Sequence, residues 1–215
     1  SVEINQELAD FLASLPENEA QKTLNFLSLN WQREGKHPLS QSQSSLDLPR
    51  GYAALLGEEA YEAASLDKKS FEGVLEAAVY DENFGDLILF ENVQSGYISL
   101  NDWEDVNPEE MLRSISENTE QANRERQEKG AKAFHVIGWI QEPTLNPATH
   151  TIYWAVEAEE EGESENFVNA IALKLGRKGF ERLTWITDRS NYSSQGGHLD
   201  TMVHSHSFDS GYQYS

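Results

Sequence analysis

One stretch decides the fold of this chain, residues 96–157: GYISLNDWEDVNPEEMLRSISENTEQANRERQEKGAKAFHVIGWIQEPTLNPATHTIYWAVE. It reads in order as a turn, one long helix, and two extended segments that are rich in β-branched and aromatic residues. It also contains three of the five tryptophans of the chain. We interpret the segments on either side as additions to this central unit.

The helix is predicted to begin after Asn107 and to run to about residue 129. Asn107 is a good N-cap, since its side-chain carbonyl can accept from an amide of the first turn. Pro108 suits the first helical position because it has no amide to leave unsatisfied, and Gly130 suits the left-handed position that ends a helix. Apolar positions recur at three- and four-residue steps, which indicates one packed face; that face comprises Met111, Leu112, Ile115, Thr119, Ala122 and Arg126.

The two extended segments, 133–140 and 151–157, carry bulky residues on both faces. This pattern is typical of central strands that are covered on two sides. The residues between them, QEPTLNPATH at 141–150, include two prolines and are predicted to form a loop. Further strands are predicted at 71–80, 86–93, 166–175 and 180–187, with turns at 82–85 and 176–179 and a loop at 188–197.

The predicted fold class is α+β. We expect a mainly antiparallel sheet of about five to seven strands, packed by the one long helix, with an N-terminal helical hairpin whose apolar stripe starts at Ile4. Short connections after the long helix favour a meander over parallel crossovers. The predicted organisation is a helical appendage at 1–33, a polar linker at 34–45, and the α+β domain at 46–215.

The charge balance is strongly acidic, with 37 Asp and Glu against 16 Lys and Arg and a net charge of −21. Such a field repels phosphate backbones, so no nucleic-acid partner is predicted. The chain has no cysteine, which excludes disulfides, thiol catalysis and thiolate metal sites. The glutamate-rich run at 157–165 is interpreted as an exposed loop, because it lacks the alternating Asp/Asn spacing of a calcium loop.

Histidines near the C-terminus are the candidate metal ligands. His204 and His206 would point to one side of a strand, with His198, Asp200 and Asp209 near them in sequence. No recognised zinc spacing is present, so an exposed polar segment is the preferred interpretation and no cofactor is predicted.

A set of polar and aromatic residues around the long helix and the strands forms the candidate ligand site. Two interpretations stay open: a structural polar network that ties the helix to the sheet, or a site for a ligand. Arg126 ends the apolar stripe, so we expect it to be partly buried and paired with Asp102 or Glu104. The candidate ligand-binding residues are Tyr97, Asp102, Trp103, Asn123, Arg126, Trp139, Trp154, Asn169 and Arg177.

Several short motifs, taken together, resemble a known family. They are LPRGY at 48–52, GY at 96–97 followed by Asp102, NRER at 123–126 followed by Gly130, GWIQEP at 138–143, the strand 149–155, LGRKG at 175–179 preceded by Asn169, and FDSGYQY at 208–214. In this set, from about residue 46 to 214, the chain resembles bacterial predicted membrane-anchored proteins of unknown function. It departs from their pattern at Ala170, where a tyrosine is usual, and in the acidic run at 157–165.

The resemblance implies an export signal before this chain and a membrane-spanning helix after it. The expected location is therefore extracytoplasmic, on the periplasmic side, with membrane association only through segments outside this chain. The resemblance implies no established activity. We expect a non-catalytic domain that binds an unknown protein or a small-molecule ligand; the alternative is a hydrolase-like enzyme that uses acidic residues, with a metal at the C-terminal histidines.

Overall fold

Two antiparallel sheets and six helices make up the structure, a computed structural model that describes residues 5–82 and 85–215. The helices are α1 (Gln6–Ala13), α2 (Glu17–Leu27), α3 (Ala60–Ala64), α4 (Pro108–Glu128), α5 (Arg189–Ser194) and α6 (His198–Ser205). The strands are β1 (Gly35–Leu39), β2 (Ser44–Leu48), β3 (Tyr52–Leu56), β4 (Val74–Asp81), β5 (Leu87–Val93), β6 (Phe134–Asn146), β7 (Thr151–Glu160), β8 (Phe167–Leu175), β9 (Phe180–Asp188) and β10 (His206–Phe208). Ile4 and the middle of the turn predicted at 82–85 lie outside the described residues.

The large sheet has seven strands in the order β3-β4-β5-β9-β8-β7-β6. Strands β6 to β9 follow one another as an antiparallel meander, in which β7 pairs with β8 and β8 with β9. The predicted α+β class and the antiparallel connections after the long helix are therefore confirmed.

A small sheet of three strands, β1-β2-β10, packs on one face of the large sheet. Leu39, Leu46 and Leu48 of this small sheet are buried in the same core as Phe90 and Trp185 of the large one. Helix α6 completes this layer with Leu199, Met202 and Val203.

The segment 34–45, expected as an exposed linker, instead contains β1 and the turn into β2. The strand was not predicted because its composition is polar: in β1 only Leu39 is buried in the core, and Lys36 and Pro38 are exposed. The division of the chain into an appendage and a domain stays a prediction.

Helix α4 has the predicted caps. The Asn107 side chain accepts from the Glu110 amide at 3.1 Å, and Gly130 has a φ of 74°. The helix packs along β6, which is an edge strand, so the expectation that this strand is central and covered on two sides is wrong. Because an edge gives a helix little surface to cover, Asn123 is the one fully buried residue of α4.

Two predicted loops are partly regular structure. Strand β6 continues through Pro143 to Asn146, and three irregularities in its pairing with β7 accommodate the extra residues. Proline is tolerated there because an edge strand has one side without ladder bonds. Likewise, α5 occupies part of the loop predicted at 188–197, with Asp188 accepting from the Asn191 amide at 2.7 Å as its N-cap.

The predicted N-terminal helical hairpin is present as α1 and α2, and neither helix has a fully buried residue. Trp31 joins α2 to the body, since its ring meets Phe26 at 5.3 Å and Tyr80 of β4 at 5.6 Å between centroids. Across residues 5–82 and 85–215, none of the helices combines the length and apolar character that crossing a bilayer requires.

Candidate functional site

Four polar side chains form a row across the buried face of the large sheet, which we call the polar row: Glu76, Asn92, Lys174 and Glu181. Strand register places Lys174 opposite Glu181 on one side, and Asn92 opposite Glu181 on the other. Glu76 lies at an irregularity of the β4–β5 pairing. Glu76, Asn92 and Glu181 are only 4%, 6% and 0% exposed, so two carboxyl groups and an amide are enclosed in the core.

The two carboxyl groups of the polar row form a pair. Asn92 Nδ2 donates to Glu181 Oε1 at 3.2 Å, and the Ser42 amide donates to Glu76 Oε2 at 3.1 Å. Within the described residues the other two oxygens, Glu76 Oε1 and Glu181 Oε2, have no donor. The pKa of Glu181 is raised well above its usual value by burial, then by the charge of Glu76 and a hydrogen bond to it. Burial therefore favours a protonated Glu181, and we assign its proton to the contact with Glu76.

A buried histidine is connected to this pair through two serines. His206 Nε2 lies 2.9 Å from Ser44 Oγ, and Ser44 Oγ lies 2.5 Å from Ser42 Oγ. Burial lowers the pKa of His206 well below its usual value, and the positive charge of Lys174 acts in the same direction. His206 is therefore a neutral imidazole at neutral pH.

Lys174 closes the other end of the row. Its Nζ donates to the Val203 carbonyl at 3.0 Å and to the His206 carbonyl, which ties β8 to the end of α6. Burial lowers the pKa of Lys174 to about 8, while the opposing charge of Glu181 acts to raise it. The row thus contains one cation that faces a carboxyl pair through the sheet register.

Two cavities flank the polar row. The first, which we call the amide cavity, has a volume of about 240 Å³. Four residues of its wall have side-chain amides: Gln41, Gln43, Asn92 and Gln94. Its wall also includes Ser42, Lys178, Phe208 and Tyr212. The histidine cavity, of about 300 Å³, is lined by residues that include His150, Lys174, His204, His206 and Tyr214. Asn92 therefore connects the row to the first cavity, and Lys174 connects it to the second.

Each cavity contains a residue with a strained backbone. Gln43 in the amide cavity and His150 in the histidine cavity both have a φ of 53°, a value that residues other than glycine rarely adopt. The His150 ring stacks on Tyr214 with centroids 4.4 Å apart. Such strain persists only where the surroundings enforce it, and it concentrates at functional sites.

Two glycines of the LGRKG motif explain how the cavity walls come together. A Cβ atom on Gly176 would lie 2.8 Å from the ring of Phe208, and one on Gly179 would lie 2.0 Å from the Val93 carbonyl oxygen. Only glycine allows these close approaches. The hairpin turn can therefore pack directly on the C-terminal segment and on the end of β5.

The aromatic residues predicted for the ligand site lie in two places. Trp103 stacks on Trp154 with centroids 5.7 Å apart, and Tyr97 stacks on Tyr214 at 5.5 Å. Trp139 donates from Nε1 to the Pro108 carbonyl at 3.2 Å and so fixes the start of α4. Tyr214 packs against the same apolar cluster as Trp103 and Trp154, so Tyr97 lies beside this pair, and Trp139 lies apart at the start of α4.

Asn123 and Arg126 form a local network with β6. Asn123 Oδ1 accepts from the Phe134 amide at 2.9 Å, and its Nδ2 donates to the Phe134 carbonyl at 2.6 Å. Arg126 is partly buried, as expected, and donates to Asn123 Oδ1 at 2.9 Å while its guanidinium stacks 4.3 Å over the Phe134 ring. Asn123 and Arg126 therefore connect α4 to β6, as expected for a structural polar network between the helix and the sheet.

The predicted pairing of Arg126 with Asp102 or Glu104 is wrong. Asp102 and Glu104 precede the first turn of α4, whereas Arg126 lies in the last turn of this 21-residue helix. At a rise of 1.5 Å per residue, the two ends are roughly 30 Å apart. The partly buried face of α4 was predicted correctly, but the length of the helix separates Arg126 from both acidic residues.

The remaining predicted residues do not converge. Asn169 of β8 has a buried Oδ1 with no donor in the described part of the chain, Asp102 is exposed, and Arg177 is exposed in the hairpin turn. His204 lies exposed in the last turn of α6 and not on a strand, whereas His206 is buried in β10. Over residues 5–82 and 85–215, no group of three or more His, Asp or Glu side chains is arranged to hold a metal.

None of the four residues of the polar row was predicted from the sequence, although one signal was present. Lys174 and Glu181 each interrupt an alternating apolar pattern, after Ala172 in β8 and before Leu183 in β9. The short turn at 176–179 places these two positions opposite each other, so a buried charge pair could have been predicted. The participation of Glu76 had no such signal, because it depends on a bulge in a distant strand pair.

Comparison with known proteins identifies a similar solved structure and a matching family. Among solved structures, the chain is similar to the solution structure of cyanobacterial PsbP (CyanoP) from Synechocystis sp. PCC 6803, with 11% sequence identity, a TM-score of 0.48, and coverage of 83% of this chain and 92% of that chain. No curated protein matches the sequence. The model of the family described as "Protein of unknown function (DUF2167)" matches residues 31–215, a span that includes β1 and begins before the motifs at Leu46. The chain therefore belongs to this family of unknown function.

Proposed function

We propose that this chain is a non-catalytic ligand-binding domain whose ligand enters the amide cavity. The observation that carries the proposal is the side chain of Asn92, which lines this cavity of about 240 Å³ and whose buried Oδ1 has no donor in the described part of the chain. A buried acceptor without a donor costs about 1–3 kcal/mol. If the Asn92 side chain turns toward the cavity, a donor group on a ligand would satisfy it.

The chemistry of the cavity wall suggests what the ligand offers. Side-chain amides both donate and accept hydrogen bonds and carry no charge, and four of them line this cavity. Phe208 and Tyr212 add aromatic surface, and the Lys178 ammonium is held 4.9 Å over the Tyr212 ring. This combination suits a neutral ligand, or part of one, with several hydrogen-bonding groups and one apolar face.

The polar row would act beneath the ligand as a positioning element. Asn92 Nδ2 donates a hydrogen bond to Glu181, which fixes the Asn92 side-chain amide with its Oδ1 pointing away from Glu181. Asn92 lies in the wall of the cavity and Glu76 and Glu181 do not, so a ligand in the cavity would lie beside Asn92 and not beside the carboxyl groups. This arrangement favours binding over acid–base catalysis, which needs a carboxyl group within hydrogen-bonding reach of the substrate.

A ligand screen by thermal shift tests the proposal. Neutral hydrogen-bonding compounds, sugars and small amides, are added to the purified chain and to Gln94→Ala, which removes one amide from the cavity wall. Compounds that raise the melting temperature of the parent should lose most of that effect in Gln94→Ala and retain it in Gln21→Ala, which removes an exposed amide on α2. Stabilisation that is equal in all three proteins would place the ligand elsewhere and refute the proposal.

The proposed location is extracytoplasmic, with the domain held at a membrane by a segment outside this chain. Support comes from the sequence motifs that resemble membrane-anchored proteins. The test is protease treatment of intact spheroplasts that produce the full-length protein. Cleavage of the domain before lysis agrees with the proposal, and protection until lysis contradicts it.

A further inference from the structure

A further concave site lies between the large sheet and the helices α5 and α6, away from the amide cavity and the histidine cavity. We call it the aromatic cleft; its volume is about 200 Å³, and its wall includes Gln141, Tyr153, Trp185, Tyr192, Leu199 and Asp200. Strand β7 supplies Tyr153, α5 supplies Tyr192 and α6 supplies Asp200. The cleft thus places one carboxylate beside the half-buried rings of Tyr153 and Tyr192, with the fully buried Trp185 behind them.

Hydrogen bonds fix the side chains of the cleft. Tyr153 donates from its hydroxyl to Asp200 Oδ1 at 2.6 Å, and Tyr192 donates to Gln141 Oε1 at 2.8 Å. Burial raises the pKa of both tyrosines, so both are neutral phenols at physiological pH. The ring of Trp185, which is 0% exposed, stands 5.8 Å from the ring of Tyr192 and is tilted by 37°, so it supports the Tyr192 ring from the core side.

The electrostatics of the cleft favour a positive ligand. The Asp200 side chain is 50% exposed, so its charge is available at the mouth. The basic group recorded beside it is the exposed His204, with Nδ1 at 3.5 Å from Oδ2, and neither lysine nor arginine occurs among the described lining residues. Aromatic faces attract cations through their quadrupole, and the net charge of −21 adds a long-range field of the same sign.

We infer that the aromatic cleft binds the headgroup of a small organic cation, an alkylated ammonium. An inorganic cation would have to exchange its water shell for several oxygen ligands, whereas the cleft offers one carboxylate and apolar rings. An anion would be repelled by Asp200. The volume of about 200 Å³ lies below the usual range for complete drug-sized ligands, about 300–1,000 Å³, and therefore suits a headgroup.

Isothermal titration calorimetry with choline chloride tests the inference, with 3,3-dimethylbutan-1-ol as the neutral compound of the same shape. Choline should bind, and the neutral compound should bind roughly tenfold more weakly or not at all. Asp200→Asn, which can still accept the Tyr153 hydrogen bond, should weaken choline binding by about tenfold. Asp47→Asn, the same charge change at an exposed position of β2, should leave binding within about twofold of the parent.

Two variants of Tyr192 separate the ring from the hydroxyl. Tyr192→Phe retains the aromatic face and should change choline affinity by less than about threefold, whereas Tyr192→Leu should weaken it by about fivefold or more. Circular dichroism and melting curves confirm that each variant is folded. The inference is overturned if choline does not bind the folded parent, if the neutral compound binds equally well, or if neither Asp200→Asn nor Tyr192→Leu weakens choline binding.

Co-sedimentation with vesicles distinguishes a free headgroup from a lipid one. If the headgroup comes from a lipid, the chain should sediment with phosphatidylcholine vesicles, and Asp200→Asn should reduce the bound fraction. If the chain binds soluble choline and remains in the supernatant with these vesicles, the ligand is a free cation. Binding to phosphatidylglycerol vesicles that exceeds binding to phosphatidylcholine vesicles would contradict the cation preference itself.

Discussion

Glu181→Gln is the sharpest test of the shared proton in the polar row. Glutamine has almost the same shape, can accept from Asn92 through its carbonyl, and can donate to Glu76 through its amide. It supplies permanently the hydrogen that we assign to the carboxyl pair. The substitution therefore removes a titration and leaves the packing of a residue that is 0% exposed.

The sign of the effect follows from the direction of the pKa shift. The pKa of Glu181 in the folded protein is raised well above the ordinary value of 4.5, chiefly by burial, so the folded state binds its proton more tightly than the unfolded state does. The resulting stability is fully present below pH 4.5 and is lost as the pH rises toward the folded-state pKa. Each pH unit in this window removes about 1.4 kcal/mol from the free energy of unfolding.

As the pH rises from 5 toward 7, the parent loses the stability that the raised pKa of Glu181 provides, and glutamine, which does not titrate, loses none of it. His206 is neutral and buried in both proteins, so it lowers the free energy of unfolding as the pH falls below the pKa of an unfolded histidine. This contribution is the same in the parent and in Glu181→Gln, so it cancels when the two proteins are compared. The stability of Glu181→Gln relative to the parent should therefore increase as the pH rises from 5 to 7, with a slope of at most about 1.4 kcal/mol per pH unit.

Urea unfolding at pH 5, 6 and 7 measures this difference, since the free energy of unfolding extrapolates linearly to water. Glu142→Gln, which removes an exposed carboxyl group of β6, is the control and should follow the parent at each pH. A difference between Glu181→Gln and the parent that is constant with pH would show that Glu181 is ionised in the folded state. The shared proton, and the positioning role built on it, would then be wrong.

Three further predictions concern stability and titration elsewhere. Gly176→Ala should lower the free energy of unfolding by about 1–3 kcal/mol, because its methyl group would overlap the aromatic ring packed against the glycine; chemical denaturation measures it, and an unchanged midpoint would mean that the turn can shift freely. Asn123→Ala should lower the free energy of unfolding by about 2–4 kcal/mol, because it leaves the main-chain N–H and C=O of Phe134 in β6 without their partners. The control Arg124→Ala, on the exposed side of α4, should lower it by less than about 0.5 kcal/mol. Equal melting temperatures for the two variants would contradict this prediction. The pKa of His135 is raised to about 9 by hydrogen bonds to two glutamates, so Glu161→Gln should lower it, which an NMR titration of the ring protons would detect; an unchanged pKa would mean that this ion pair is absent in solution.

The sequence by itself determined the elements whose signals are local. The start of α4 follows from Asn107 and Pro108, and its end from Gly130, because caps satisfy or spare main-chain groups within one turn. The hairpin between β8 and β9 follows from its short glycine-bounded turn, which also fixes the antiparallel register. These features need no knowledge of the rest of the chain.

Only the tertiary structure decided how distant segments meet. Strand β10 pairs with β2 across about 160 residues, and this pairing turns a polar C-terminal segment into a strand that buries His206. The same event separates His204 from His206, so the predicted metal pair is divided between a helix surface and a core. Likewise, Glu76 joins Glu181 through the order β4-β5-β9, which depends on sheet pairing. Because such pairings are stabilised by contacts between segments far apart in sequence, local patterns do not encode them, and the buried polar row exists only once both sheets have assembled.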